Sequence, residues 1–203
     1  MAVAAGIWFA VPRLLVLLFP LPYADVVGKY SEEYGIDPFL VVAIMRVESS
    51  FDPQAHSHQG ALGLMQVMPS TAQEVASGVD GLDLSDPEKD LLRPEINVRI
   101  GIMYLDDLRR QFGDDWPVIL AAYNGGRGRV DRWLKEGQWD GRLETLESLP
   151  YPETRRYVQK VLGMQAWYHR VYRNRWPKQA TVKGVGYVSS SGSSTAPADG
   201  RPG

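Results

Sequence analysis

The chain has 203 residues, 44% of them hydrophobic, which is enough for one ordinary domain with a buried core plus terminal extensions. Its 22 Lys and Arg are balanced by 24 Asp and Glu, so it makes no global positive field and nucleic acid is not an expected partner. It has no cysteine, which excludes a disulfide framework, a Cys-based zinc site, a thiol nucleophile and a lipid-modified N-terminal cysteine.

Residues 2–23 are almost wholly apolar, interrupted by Arg13 and by Pro12, Pro20 and Pro22. A hydrocarbon core needs about 20 apolar residues, and the apolar region of a signal peptide only ~7–15. Arg13 would cost about 2.5–3.5 kcal/mol at the centre of a spanning helix unless a shifted register carried it to the flank. No small-residue cleavage site follows residues 14–21. Residues 1–22 are therefore read as an uncleaved membrane anchor in preference to a cleaved signal, while the prolines keep a buried core helix as a third alternative. The expected location is the cell envelope, with the domain outside the cytoplasm, or secreted if the segment is removed.

Residues 23–176 read as one domain of successive amphipathic helices with short connections and few strand signals, a mainly α architecture. Asp37-Pro38 supplies an N-cap and a proline at the first helical position, opening a nearly all-apolar helix over 39–48. Residues 51–70 are the least helical stretch, and 60–68 is expected to form a short extended or hairpin element. Arg93-Pro94 opens a helix whose Ile96, Ile100, Met103, Tyr104 and Leu108 form a core-facing stripe ending near Gly113. Asp115-Trp116-Pro117 opens another over 118–123, broken by Asn124-Gly125-Gly126, with a short helix following at 130–134. Pro152 begins the last long helix, with Tyr157, Val161, Met164 or Gln165, and Tyr168 along one face. Residues 177–203 are rich in Ser, Gly, Pro and Ala and are read as a disordered tail.

Glu48 draws attention without any family argument, because a carboxylate ends an apolar helix and shares a face with Ile44 and with Leu40 or Val41. Burial and the negative end of the helix dipole both raise a carboxyl pKa, which suits an acid that must keep its proton near neutral pH; a paired or solvated glutamate at a helix end is the alternative. Arg46 is near in sequence but points to another side of the helix. Asp52 precedes Pro53 and is read as a turn or cap residue. His56 and His58 lie in a Gln/Ser/Gly-rich loop with no third clustered ligand and are read as surface residues, so no metal site is expected. Glu153 and Tyr157 lie four apart on the last helix and share a face, as a substrate-binding pair would; a first-turn carboxylate and a core tyrosine are the plainer alternative. The run Arg170, Arg173, Arg175, Lys178 and Lys183, interleaved with Tyr172 and Trp176, is read as a solvated helix end, with contact to anionic wall polymer or lipid headgroups as the other possibility.

Glu48-Ser49, Gly63-Leu64-Met65-Gln66, Ala122-Tyr123-Asn124 with Gly125, and Glu153-Thr154-Arg155 with Tyr157-Val158 occur in an order and spacing that resembles the soluble lytic transglycosylase domain. Each block is weak alone and together they are specific. The resemblance spans residues 23–172 and implies a lysozyme-like, mainly helical fold with a small irregular or β element beside a saccharide cleft. It also implies a peptidoglycan lytic transglycosylase that cleaves the β-1,4 bond between N-acetylmuramic acid and N-acetylglucosamine to leave 1,6-anhydro ends. Glu48 would be the catalytic acid and then base. Met65, Gln66, Tyr123, Asn124, Glu153 and Tyr157 would contact substrate, no metal or organic cofactor would be needed, and the enzyme would act as a monomer on glycan strands. Gly126-Arg127 departs from the Ala-Gly-Pro-like turn usual in that family, and Tyr151 stands where phenylalanine is usual.

Overall fold

The structure, a computed structural model, describes residues 17–79 and 82–177. Most of the segment read as an anchor and nearly all of the C-terminal tail lie outside the described residues. The helices are α1 (Ala24–Tyr34), α2 (Pro38–Ser49), α3 (Pro69–Ser77), α4 (Pro87–Asp90), α5 (Pro94–Phe112), α6 (Trp116–Gly125), α7 (Arg127–Lys135), a 3₁₀ turn (Leu143–Ser148) and α8 (Pro152–Tyr172). Among the described residues no helix is long and apolar enough to cross a membrane. The hairpin expected at 60–68 reduces to isolated bridges, His56 with Leu62 and Leu62 with Val67, because the loop is held by side chains rather than by a ladder.

α2 starts where Pro38 fixes the backbone and the Asp37 Oδ1 accepts from the Phe39 amide at 3.0 Å, satisfying a donor that the helix itself leaves free. Residues 39–45 are all buried, which explains why the sequence carries no polar stripe there: neighbours cover the helix on every side. It packs on α1 and, antiparallel, along α8. The Asp37 carboxylate fixes that pairing by accepting from Gln165 Nε2 and His169 Nε2, both at 2.6 Å, near the far end of α8. α5 lies against α1, α3 and α6, and α6 against α7 and α8, so the core is one continuous cluster.

A helix end and a side chain differ from the reading of the sequence. α6 runs through Asn124 and Gly125, and the break falls one residue later, at Gly126 with φ 90°. Gly125 is helical, and α8 comes so near that even a Cβ there would sit 3.2 Å from Thr154 Oγ1. Tyr104, placed on the core stripe of α5, is only half-buried and turns its ring toward Tyr123, with centroids 5.3 Å apart.

Candidate active site

Glu48 sits in the last turn of α2, largely covered, and burial pushes its carboxyl up to about 7. The neighbouring Tyr157 hydroxyl tempers that rise. Tyr157 comes from the first turns of α8 and is 6% exposed; its hydroxyl is buried without a hydrogen-bond partner of ideal geometry among the described residues. Both Tyr157 and Tyr123 are pushed well above the usual phenol value, first by burial and then by the charge of Glu48, so each remains a neutral donor. Arg46 does not oppose the Glu48 shift, because its guanidinium reaches away to the Leu18 carbonyl at 2.7 Å and lies 5.4 Å from the Phe19 ring centroid.

Beside this group lies a cleft of about 260 Å³ lined by Gln66, Tyr104, Tyr123, Asn124 and Arg129, among others. Tyr123 joins cleft and carboxyl, since it lines the one and feels the charge of the other. None of the residues lining the cleft is acidic. Asp52, the nearest acid in sequence, is exposed and its Oδ1 accepts from the Gln54 amide at 2.9 Å, a turn role. A larger cavity of about 320 Å³ lies elsewhere, between α3 and α5. Its acids are paired, Glu74 and Asp107 with Arg127, and Asp106 with Arg109 and Arg110, so it offers no carboxyl free to exchange a proton.

The wall of the cleft is the loop at 62–67, and its shape depends on residues that the sequence reading passed over. Asn97, fully buried on α5, accepts from the Met65 amide and donates to the carbonyls of Leu62 and Leu91, each at 2.8 Å. The Ser49 hydroxyl is 2.8 Å from the Leu64 carbonyl, and Tyr123 donates to the Met65 carbonyl at 2.8 Å. Gly63 has φ 72°, and a Cβ there would come within 2.4 Å of both Asn97 Nδ2 and the Leu91 carbonyl. Only glycine fits. So held, Gln66 adopts φ 49° and spends both amide N–H groups on the carbonyls of Gly63, at 2.9 Å, and Ala55, at 3.2 Å. What it can turn to the cleft is its amide oxygen, an acceptor.

The expected site residues are thus only partly brought together. Glu48, Tyr123 and Tyr157 form one group, with Gln66 and Asn124 on the adjoining cleft. Asn124 is exposed and accepts from Thr154 Oγ1 at 2.9 Å. The Met65 side chain, expected to contact substrate, is instead fully buried: it fills the space left by Gly101 on α5, and its backbone N–H and carbonyl are held by Asn97 and Tyr123. Glu153 is exposed and does not line the cleft, although Tyr157, four residues on, is buried beside Glu48. Sharing a helix face does not equalise burial when the helix end leaves the core. Asn97 had a detectable signal, being an amide amid the apolar spacing of α5, where an unpartnered polar group would be costly.

The fold and site together define a helical domain with one largely buried carboxyl, flanked by phenols, beside a polar cleft. The chain belongs to the transglycosylase SLT domain family, whose model matches residues 25–145. It is 41% identical over 153 residues to the soluble lytic murein transglycosylase of Salmonella typhimurium, covering 74% of this chain and 23% of that one. It is 36% identical over 167 residues to the membrane-bound lytic murein transglycosylase C of Sodalis glossinidius, covering 73% and 47%. Among solved structures it matches the 70 kDa soluble lytic transglycosylase of Escherichia coli with a TM-score of 0.71 and 39% identity, over 77% of this chain and 25% of that one. The fold is therefore the mainly helical, lysozyme-like fold expected. The chain spans about a quarter of the length of the soluble relatives and under half of the membrane-bound one.

Proposed function

We propose that this domain is a peptidoglycan lytic transglycosylase with Glu48 as its only catalytic acid and base. The observation that carries the reading is a single largely buried carboxyl, pushed up to about 7 by that burial, beside a cleft with no acidic lining. In the first step the Glu48 carboxylic acid gives its proton to the glycosidic oxygen and the bond from muramyl C1 breaks, leaving an oxocarbenium ion. In the second, the muramyl C6 hydroxyl attacks C1 and returns its proton to the Glu48 carboxylate. A 1,6-anhydro end forms, no water is consumed, and the acid is regenerated. Glycoside hydrolases of the usual kind need a second carboxylate, either as base toward water or as nucleophile. Here the nucleophile is a hydroxyl of the substrate, so one carboxyl suffices.

Tyr157, a neutral phenol whose hydroxyl has no other partner among the described residues, is placed to orient Glu48 and to hold its carboxylate between the steps, while Tyr123 donates to the Met65 carbonyl and steadies the loop beside it. Gln66 presents an acceptor suited to a sugar hydroxyl or an N-acetyl N–H, and Asn124 lies on the same cleft. In this reading Met65 serves through its backbone, and Glu153, exposed and off the cleft, is left as a first-turn carboxylate of α8. The relatives named both soluble and membrane-bound fit an envelope location, and the apolar sequence of residues 2–16 fits attachment to the membrane.

The test is mass analysis of the fragments released from purified peptidoglycan by the protein and by Glu48→Gln. Anhydromuramyl ends that vanish in the variant are expected. Reducing ends would make the domain a hydrolase, and no release by either would leave a glycan-binding role.

A further inference from the structure

The end of α8 remote from the active site carries an unusual surface. Leu17, Leu18 and Trp167 are 76%, 55% and 45% exposed. Phe19 stacks on Trp167 with centroids 5.9 Å apart, and the Arg170 guanidinium lies 4.8 Å from the centre of the same indole. Arg173 and Arg175 follow, both exposed, and none of these three arginines is ion-paired among the described residues. Apolar groups edged by unpaired cations suit the boundary of an anionic bilayer, where tryptophan settles at headgroup level and arginines meet lipid phosphates.

Where the chain enters the fold makes the same point. Residues 2–16 are apolar but for Arg13, and they lead into this patch at Leu17. From there the chain has no slack. The Leu18 carbonyl accepts from Arg46, that of Phe19 from Tyr172 at 2.7 Å, and that of Pro20 from Tyr168 at 3.0 Å. Tyr157, beside Glu48, lies ten residues before Trp167 on one helix, which is about 15 Å along its axis. Arg46 and Glu48 are two positions apart on α2, so their side chains leave the helix about 200° from each other.

We propose that the face formed by Leu17, Leu18, Phe19, Trp167, Arg170 and Arg173 docks into the headgroup layer of an anionic bilayer, placing the active site at the opposite end of α8, turned toward the wall. This rests on the envelope location proposed above and adds to it. The domain is not merely tethered but seated in one orientation.

Because the chain has no cysteine, a polarity-sensitive fluorophore can be placed singly by Ala166→Cys, beside the patch, and by Glu144→Cys, on the 3₁₀ turn that precedes α8. The full chain is reconstituted with vesicles containing phosphatidylglycerol and with vesicles of phosphatidylcholine alone. Position 166 is expected to shift to the blue and resist aqueous quenchers on the anionic vesicles, while position 144 does not. Replacing Arg170, Arg173 and Arg175 together with glutamine should lower the docked-to-undocked ratio about a hundredfold and abolish the shift, with the protein still sedimenting with vesicles. A vesicle-bound chain whose position 166 behaves like position 144 overturns the docking and leaves the envelope location intact. A full chain that fails to sediment with either vesicle overturns both. A shift that persists in the triple variant, or that a soluble polyanionic glycopolymer produces and vesicles do not, overturns the assignment to anionic lipid.

Discussion

The Glu48 carboxyl is pushed up to about 7 because α2 carries it into a largely covered position, and the Tyr157 hydroxyl offsets only part of that rise. If the resting enzyme must start with the Glu48 proton in place, kcat/KM should be level below pH 7 and fall as pH rises through about 7, which a pH–rate profile checks. The same shift costs stability. Because the folded state binds the proton more tightly than the unfolded one, stability declines as pH rises from the ordinary glutamate value to about 7. Over that window the loss is about 3 kcal/mol, so Glu48→Gln should match the wild type in urea unfolding at pH 4 and exceed it by up to that amount at pH 8. Asn97 makes the opposite case, a buried polar group with every hydrogen bond used. Asn97→Ala would strand the Met65 amide and the Leu91 carbonyl, the Leu62 carbonyl keeping the Val67 amide, and a loss of about 3 kcal/mol is expected in the same assay, with a fall in kcat as the loop carrying Gln66 loosens.

At the scale of elements, the site is a meeting of two helix ends and one loop. α2 supplies Glu48 at its C-terminus, α8 supplies Tyr157 near its N-terminus, and the antiparallel pairing fixed by Asp37 with Gln165 and His169 brings those ends level. The loop at 62–67 is clamped to α5, and Gly101 is the socket of that clamp. Replacing a mid-helix glycine by alanine ordinarily stabilises by about 1 kcal/mol. In this helix a Cβ at position 101 would meet the Met65 sulfur at 2.4 Å and its Cβ at 3.1 Å in a packed core. Gly101→Ala should therefore destabilise by about 1–3 kcal/mol, read from the midpoint of denaturant unfolding. The helix starts were legible because they depend on nearest neighbours: proline stands at the first turn of α2, α5, α6 and α8. The loop was not, since its hydrogen bonds reach residues more than thirty positions away, as from Met65 to Asn97.

Over the whole molecule, residues 18–21 are part of the fold's energetics. Their carbonyls satisfy Arg46, Tyr168 and Tyr172, and Leu21 is buried. A chain begun at Asp25 should lose about 3 kcal/mol relative to one begun at Leu17, a fall in Tm of about 6–12 °C by calorimetry. The sequence by itself determined the helical class, the starts of the main helices, the single carboxyl that ends an apolar helix, and the motif blocks that mark the family, all of which are written in local spacing. Tertiary structure decided the rest. It buried Met65 and exposed Glu153, turned Tyr104 into the cleft, made Asn97 the brace of the site, and set Trp167 and the arginines of α8 beside the entering chain. Burial and hydrogen-bond partnership depend on which distant surfaces meet, and a pattern along the chain does not encode that meeting.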